Sequence, residues 1–134
     1  MFKCIVGIMI GVAFLICAAS AASYTNDFLN SSVVVSGRVV GLDNGRNHPL
    51  IEFVTQKGEH ISRIQSGFIP ALNMDDYVPI RYRPDAPLQT ARLDYFLPIW
   101  GPVLVLVFFG LAFSVGSIVT FILTKTSKKS RERI

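Results

Sequence analysis

The chain has 134 residues, 51% of them hydrophobic and 16% charged, with a mean hydropathy of +0.46; this composition excludes a disordered protein and leaves room for one small folded body. The formal net charge of +4 sits at the ends, because Tyr24–Phe96 carries seven Lys and Arg against eight Asp and Glu while Lys3 and the five basic residues after Leu123 hold the excess. That distribution excludes a nucleic-acid surface on the body and is instead the pattern of basic residues flanking membrane spans.

Met1–Ser23 places Lys3 before twenty uncharged, mostly apolar residues, which suits either a membrane helix or a cleavable signal peptide. Ala18–Ala22 supplies small residues of the kind that precede a cleavage site. The length of the run, and the G-x-x-x-G spacing of Gly7 and Gly11 that lets two helix backbones approach, favour a retained helix. Both cysteines, Cys4 and Cys17, lie in this run, about 20 Å apart if it is helical, so they cannot bridge each other. Ile16 before Cys17 departs from a lipid-attachment pattern, and the body, without cysteine, has neither a disulfide framework nor a thiolate metal site.

Residues 24–31 are polar with two apolar anchors and read as a connector; Asn30, Ser31 and Ser32 match a glycosylation triplet. The β-branched run Val33–Val40 is the first strand, with Gly37 predicting a bend or bulge, and Asp43–Asn47 form the loop after it. Leu50–Thr55 is the second strand, Ile51 and Phe53 facing in and Glu52 out, and Gln56–Gly58 turn it into a third strand, Glu59–Ile64. Tyr77–Tyr82 alternates Val78, Ile80 and Tyr82 against Pro79, Arg81 and Arg83. Pro79 predicts either an edge strand or an unpaired position, and Leu88–Leu93 is the last short strand. The core expected from these alternations is Val35, Val39, Ile51, Phe53, Ile61, Val78 and Ile80, with Arg81 on the opposite, solvated face.

Phe96–Leu123 has no charged residue across 28 positions and reads as a membrane-spanning helix. Tyr95 and Trp100 mark its headgroup level, Pro102 predicts a mild kink, and Ala112, Gly116 and Thr120 form a small-residue stripe suited to packing on the first helix or on a second copy. Lys125, Lys128 and Lys129 begin the basic tail, 124–134, which stops the span and meets the lipid surface. The fold class expected is therefore two transmembrane helices, 1–23 and 96–123, flanking a roughly five-stranded antiparallel module, 24–95, shaped as a small barrel or a bent sheet. Both termini are expected in the cytosol of a bacterial inner membrane and the β module outside.

With these elements placed, the segments IEFVTQKGEHI, DDYVPIRYRPDAP and ARLDYFLPIW resemble a bacterial membrane family, the domain of unknown function 3592. The resemblance covers about half the chain and rests on the order of strand, turn and span. It implies an outer β module held beside membrane helices and brings no established chemistry.

The residues themselves point to no reaction and no cofactor. His48 and His60 have no metal-ligand spacing, Asp75 and Asp76 point to opposite faces if extended and read as a turn before a strand, and Ser62, Ser66 and Asp94 lack a nucleophile context. The span holds no acid, base or histidine, which argues against a pump or proton-coupled transporter. Arg38, Arg63, Arg81, Arg83 and Arg92 could line a groove for an anion, with Arg63, Arg81 and Arg83 the candidates singled out. The expected role is structural or protein-interacting in the cell envelope, through a membrane-protein partner or a second copy; the alternative is a binding or sensor module for an anionic small molecule or polymer.

Overall fold

A computed structural model describes residues 2–43 and 46–133. Asn44 and Gly45, part of the loop expected after the first strand, lie outside the described residues. In chain order the elements are α1 (Phe2–Ser31), β1 (Val33–Leu42), β2 (Pro49–Val54), β3 (His60–Ile64), β4 (Tyr77–Tyr82), α2 (Pro87–Thr90), β5 (Arg92–Leu93) and α3 (Phe96–Arg131). They form two compact bodies, one of Met1–Ala22 with Pro102–Ile134 and one of Ser23–Gly101.

Both long helices outrun their apolar runs. Residues 24–31, expected as a connector, continue α1, because no glycine or proline interrupts them and extending an existing helix costs far less than starting one. Thr25 and Phe28, three residues apart, are buried on one side of this extension, and the chain leaves the helix after Ser31 to enter β1 at Val33. The basic tail is likewise helical to Arg131, and Lys128, Lys129 and Arg131 in its last turn complement the negative end of the helix dipole. Both helices are long and apolar enough to cross a membrane.

In the helical body, α1 meets α3 along glycines. A side chain on Gly7 would collide with Ser117, and one on Gly11 would lie 2.8 Å from the Gly110 carbonyl oxygen and 2.9 Å from the Ser114 nitrogen. Phe14 stacks on Phe113 at 6.0 Å between ring centroids. The G-x-x-x-G pair is thus the contact line expected of it. The Ala112–Gly116–Thr120 stripe is not its counterpart on α3: those residues are exposed, and nothing lies within 4 Å of where a Gly116 side chain would begin. The helix pair meets instead through Gly110, Ser114 and Ser117, one helical face further round.

The second body is a five-stranded antiparallel sheet in the order β3-β2-β1-β4-β5. It is open and curled, not a closed barrel: β3 and β5 form the two edges, and side chains bridge the gap where a ladder would close it. Arg63 Nη1 donates to the Leu88 carbonyl at 2.7 Å, and the buried Gln65 Nε2 donates to the Ala91 carbonyl at 3.4 Å. Inside the curl, Val39, Ile51, Phe53, Leu72, Val78, Ile80, Tyr82, Ala91 and Leu93 make the core, with Val35 and Ile61 packed against it. Tyr82 reaches across that interior, its hydroxyl accepting the Gln56 N–H at 2.9 Å.

The bulge and the last strand differ from the expected pattern, and Pro79 takes the second of its two expected placements. The bulge is at Val40, where the register passes from Val39↔Ile51 to Gly41↔Leu50. Gly37 serves a different purpose: a side chain there would lie 2.7 Å from Ile80 and 2.8 Å from Ile51, so the curl closes over its bare backbone. Pro79 lies in a strand second from the edge; its carbonyl accepts the Asp94 N–H at 2.9 Å, so the missing amide hydrogen faces the two-residue β5 side and leaves the β1–β4 ladder intact. Finally, Leu88–Leu93 is not one strand. Pro87 starts the short helix α2, and Thr90 Oγ1 both donates to the Ala86 carbonyl at 2.6 Å and accepts the Arg83 N–H at 2.9 Å, which leaves only Arg92 and Leu93 to pair.

Arg81 departs from the solvated role expected of it. Its guanidinium is forked onto Asp94 at 2.7 and 3.3 Å, with side chains 21% and 23% exposed, and it reaches Ser32 Oγ at 3.1 Å and the Leu29 carbonyl at 3.4 Å. It thereby fastens the last turn of α1 to β4 and β5. Arg81→Ala is expected to cost about 1–3 kcal/mol by stranding a half-buried carboxylate, measured as a lower urea midpoint. Arg38→Ala, whose ion pair with Asp75 is exposed, is expected to leave that midpoint in place.

Candidate functional site

The two-residue period of the strands that sends Val39, Ile51, Phe53, Val78 and Ile80 inward sends another set outward. Ser36 and Arg38 on β1, Glu52 and Val54 on β2, His60 on β3, and Tyr77 and Pro79 on β4 come to one face. Tyr77, at the start of β4 and opposite Arg38 in the ladder, is 73% exposed. Two hollows flank it: one of about 350 Å³ shared with Val34, Ser36 and Pro79, and one of about 430 Å³ shared with Arg38, Glu52, Val54 and His60.

The charged rim of this face is locally organised. Arg38 Nε donates to Asp75 Oδ1 at 3.0 Å, and that hydrogen bond with its attendant charge raises the guanidinium pKa, so Arg38 stays cationic. Asp75 takes a left-handed backbone at φ +65, a conformation aspartate tolerates better than most residues. Its N–H donates to the Val39 carbonyl at 2.9 Å, Val39 N–H donates to the Asp76 carbonyl at 2.9 Å, and Asp76 Oδ2 accepts the Asn73 N–H at 2.7 Å. Asp75 and Asp76 therefore build a turn that locks Tyr77 in place. His60 Nδ1 lies 3.8 Å from Glu52 Oε1 across β2 and β3, both exposed.

An exposed aromatic set between an arginine, a glutamate and a histidine, with an apolar floor of valines and proline, is suited to holding a protein surface. Tyrosine and arginine are the residues that most often anchor such contacts, and the hollows on each side admit side chains from a partner. Sequence reasoning placed Tyr77 on its strand without singling it out. Its signal was there, an aromatic out of phase with Val78 and Ile80.

The arginines proposed for a common groove are dispersed. Arg81 is engaged by Asp94, Arg83 by Asp85 at 3.2 Å, and neither lines the polar cavity that Arg63 shares with Arg92. Tyr95 precedes α3 and Trp100 sits in its first turns, whereas Lys125, Lys128 and Lys129 lie on its far turns. Another hollow, about 560 Å³, is apolar and lined by Phe68, Ile69, Tyr95, Phe96 and Leu97 where α3 begins. Among the described residues no three His, Cys, Asp or Glu side chains converge on a metal position. Asp94 is committed to Arg81, and His60 stands on the outer face beside Glu52.

No family model matches the chain, and no solved structure matches it. Among curated proteins, it is 29% identical over 107 residues to the immune protein Tsi4 of Pseudomonas aeruginosa, an alignment that spans 80% of this chain and 74% of that protein. The aligned length exceeds the Ser23–Gly101 body, so the likeness takes in helical sequence as well as the sheet.

Proposed function

We propose that this chain is an envelope immunity protein that protects the cell making it by binding a toxic protein on the Tyr77 face of its β module. The single observation that carries this reading is the likeness to an immune protein over four-fifths of the chain, sheet and helical sequence together. Support comes from the architecture. Two helices of membrane-crossing length and composition would hold the module at the bilayer, and the neutral body between basic flanks favours both termini in the cytosol and the module outside. The likeness to the domain of unknown function 3592 belongs to the same proposal and contributes architecture alone.

On this reading the chain is not an enzyme. Protection follows from occupancy: a partner seated on Tyr77, with Arg38, Glu52 and His60 at the rim, is held at the membrane and its own working surface is covered. Polar groups at the rim then choose the partner, and the aromatic supplies most of the affinity.

The test is protection between sister cells. A strain deleted for this chain is expected to be killed in contact with its parent, and the full chain supplied in trans is expected to restore survival. Tyr77→Ala is expected to accumulate normally and to lose at least about tenfold in partner affinity, the effect of removing a central aromatic anchor, and with it protection. Survival of the deletion strain beside its parent sinks the immunity reading; full protection by Tyr77→Ala moves the binding face elsewhere.

The sidedness is tested separately. Single cysteines at Lys57 and at Lys129, with Cys4 and Cys17 replaced, are expected to react oppositely with an impermeant maleimide in intact cells, Lys57→Cys labelling and Lys129→Cys not. Equal labelling of both overturns the topology.

A further inference from the structure

Of the arginines on the strands and in the turn after β4, Arg38, Arg81 and Arg83 each have a carboxylate, Asp75, Asp94 and Asp85 respectively. Arg63 and Arg92 have none among the described residues, and they line the same cavity. We propose that this cavity, in the seam between the β3 edge and the α2–β5 segment, binds a phosphate-type oxyanion gripped by the Arg63 and Arg92 guanidinium groups.

The cavity measures about 180 Å³, the share of roughly six waters at about 30 Å³ each, which accommodates a tetrahedral oxyanion of five heavy atoms. Its remaining polar lining includes Gln65, Ser66, Gln89 and Thr90, and no acid lines it. Both guanidinium groups are already positioned. Arg63 spends one N–H on the Leu88 carbonyl at 2.7 Å, which leaves its other donors available. Arg92 lies over the Phe28 ring, its Cζ 4.5 Å from the ring centroid, a cation–π contact that holds the group in place, and its N–H groups have no protein acceptor among the described residues. Gln65, 6% exposed, is held by the Ala91 carbonyl and closes one wall.

Leaving two cations side by side in a half-buried seam is unfavourable. Burial lowers the Arg92 pKa, with Tyr24 acting in the opposite direction and the Arg63 charge in the same one, so the net shift is against the cation. An anion with several oxygens reverses that sign, because each guanidinium can present two parallel donors to it. Binding also has a structural consequence. Arg63 belongs to one edge of the curled sheet and Arg92 to the other, so a bridging oxyanion ties the two edges together where no ladder does.

The phosphate chemistry has two sources. The cavity wall includes Pro98 in the first turn of α3, and Phe28 beneath Arg92 belongs to the last turns of α1, so the site lies where both apolar helices enter this body; a phospholipid headgroup and a free phosphate ion both meet its requirements. The inference does not depend on the protective role.

The experiment is thermal unfolding of the full chain. In detergent, inorganic phosphate against chloride at matched ionic strength is expected to raise the midpoint by about 5 °C when it is well above its dissociation constant. In nanodiscs, phosphatidylglycerol in place of phosphatidylcholine is expected to do the same if a headgroup is the occupant. A shift with phosphate identifies a free oxyanion as a sufficient ligand, and a shift with phosphatidylglycerol alone identifies the headgroup. In either arm Arg63→Gln and Arg92→Gln are expected to remove the shift, and Arg38→Gln on the outer face to keep it. If Arg92→Gln does not fold, Arg63→Gln carries the comparison. Absence of a shift in both arms, or equal loss of it in Arg38→Gln, overturns the site.

Discussion

Phe53→Ala is expected to unfold the β module, at a cost of about 3–5 kcal/mol, in a body whose whole stability at this size is about 4–12 kcal/mol. The side chain is 2% exposed in the middle of β2, paired with Gly37 on one side and Ile61 on the other, and its ring lies 5.6 Å from that of Tyr82. Two of its neighbours cannot fill the space it would leave. Gly37 has no side chain, and Tyr82 is tethered through its hydroxyl to the Gln56 N–H on the far side of the curl. Tyr82→Phe removes only that tether and should cost about 1 kcal/mol. Protease resistance of the full chain in membranes separates the two: rapid loss of the module for Phe53→Ala and near-parental resistance for Tyr82→Phe. A Phe53→Ala variant as resistant as its parent would show that the inner face of the sheet is not the core.

The second large effect is expected in the helical body. Gly11→Leu should drive α1 away from α3, because the new side chain begins 2.8 Å from the Gly110 carbonyl oxygen and 2.9 Å from the Ser114 nitrogen, backbone atoms that cannot swing aside. Gly110 is equally constrained, its own missing side chain facing the Gly11 carbonyl oxygen at 3.1 Å. Without close approach the pair loses most of its dispersion contact, which is what holds helices together where the surroundings are as apolar as the helices. Gly116→Leu is the control, since nothing lies within 4 Å of that position. Spin labels at Lys3→Cys and Thr124→Cys, with Cys4 and Cys17 replaced, report the separation. One narrow distance is expected for the parent and for Gly116→Leu, and a broad, longer distribution for Gly11→Leu. A narrow distribution in Gly11→Leu would place the contact elsewhere.

Much of this architecture was legible in the chain because it rests on period and composition. The two apolar runs, the strands Val33–Val40, Leu50–Thr55, Glu59–Ile64 and Tyr77–Tyr82, and the inward set from Val39 to Ile80 follow from where apolar side chains recur, and the structure keeps them to within a few residues. The G-x-x-x-G of Gly7 and Gly11 was legible for the same reason: its meaning lies in spacing along one helix. What failed was local. The continuation of α1 through 24–31 follows from a segment that no glycine or proline interrupts and that extends an existing helix, which its polar composition does not reveal, whereas the division of Leu88–Leu93 depends on Thr90 bonding to Arg83 and Ala86.

By itself, then, the sequence determined two apolar helices of membrane-crossing length, four of the five strands, their inner faces and, on α1 alone, the glycines at which the helices meet. These are properties of neighbours in the chain, set by side-chain volume, hydrophobicity and the fixed periods of helix and strand. Only the tertiary structure decided which charges are partnered. Arg81 and Asp94 are thirteen residues apart and Arg38 and Asp75 thirty-seven, and each pair forms because strands that are distant in sequence become adjacent in the sheet. The same folding brings Arg63 and Arg92 to one cavity that no acid lines and raises Tyr77 on the outer face. Charge attraction and exposure depend on distances in space, and the curl of the sheet, not the order of residues, sets those distances.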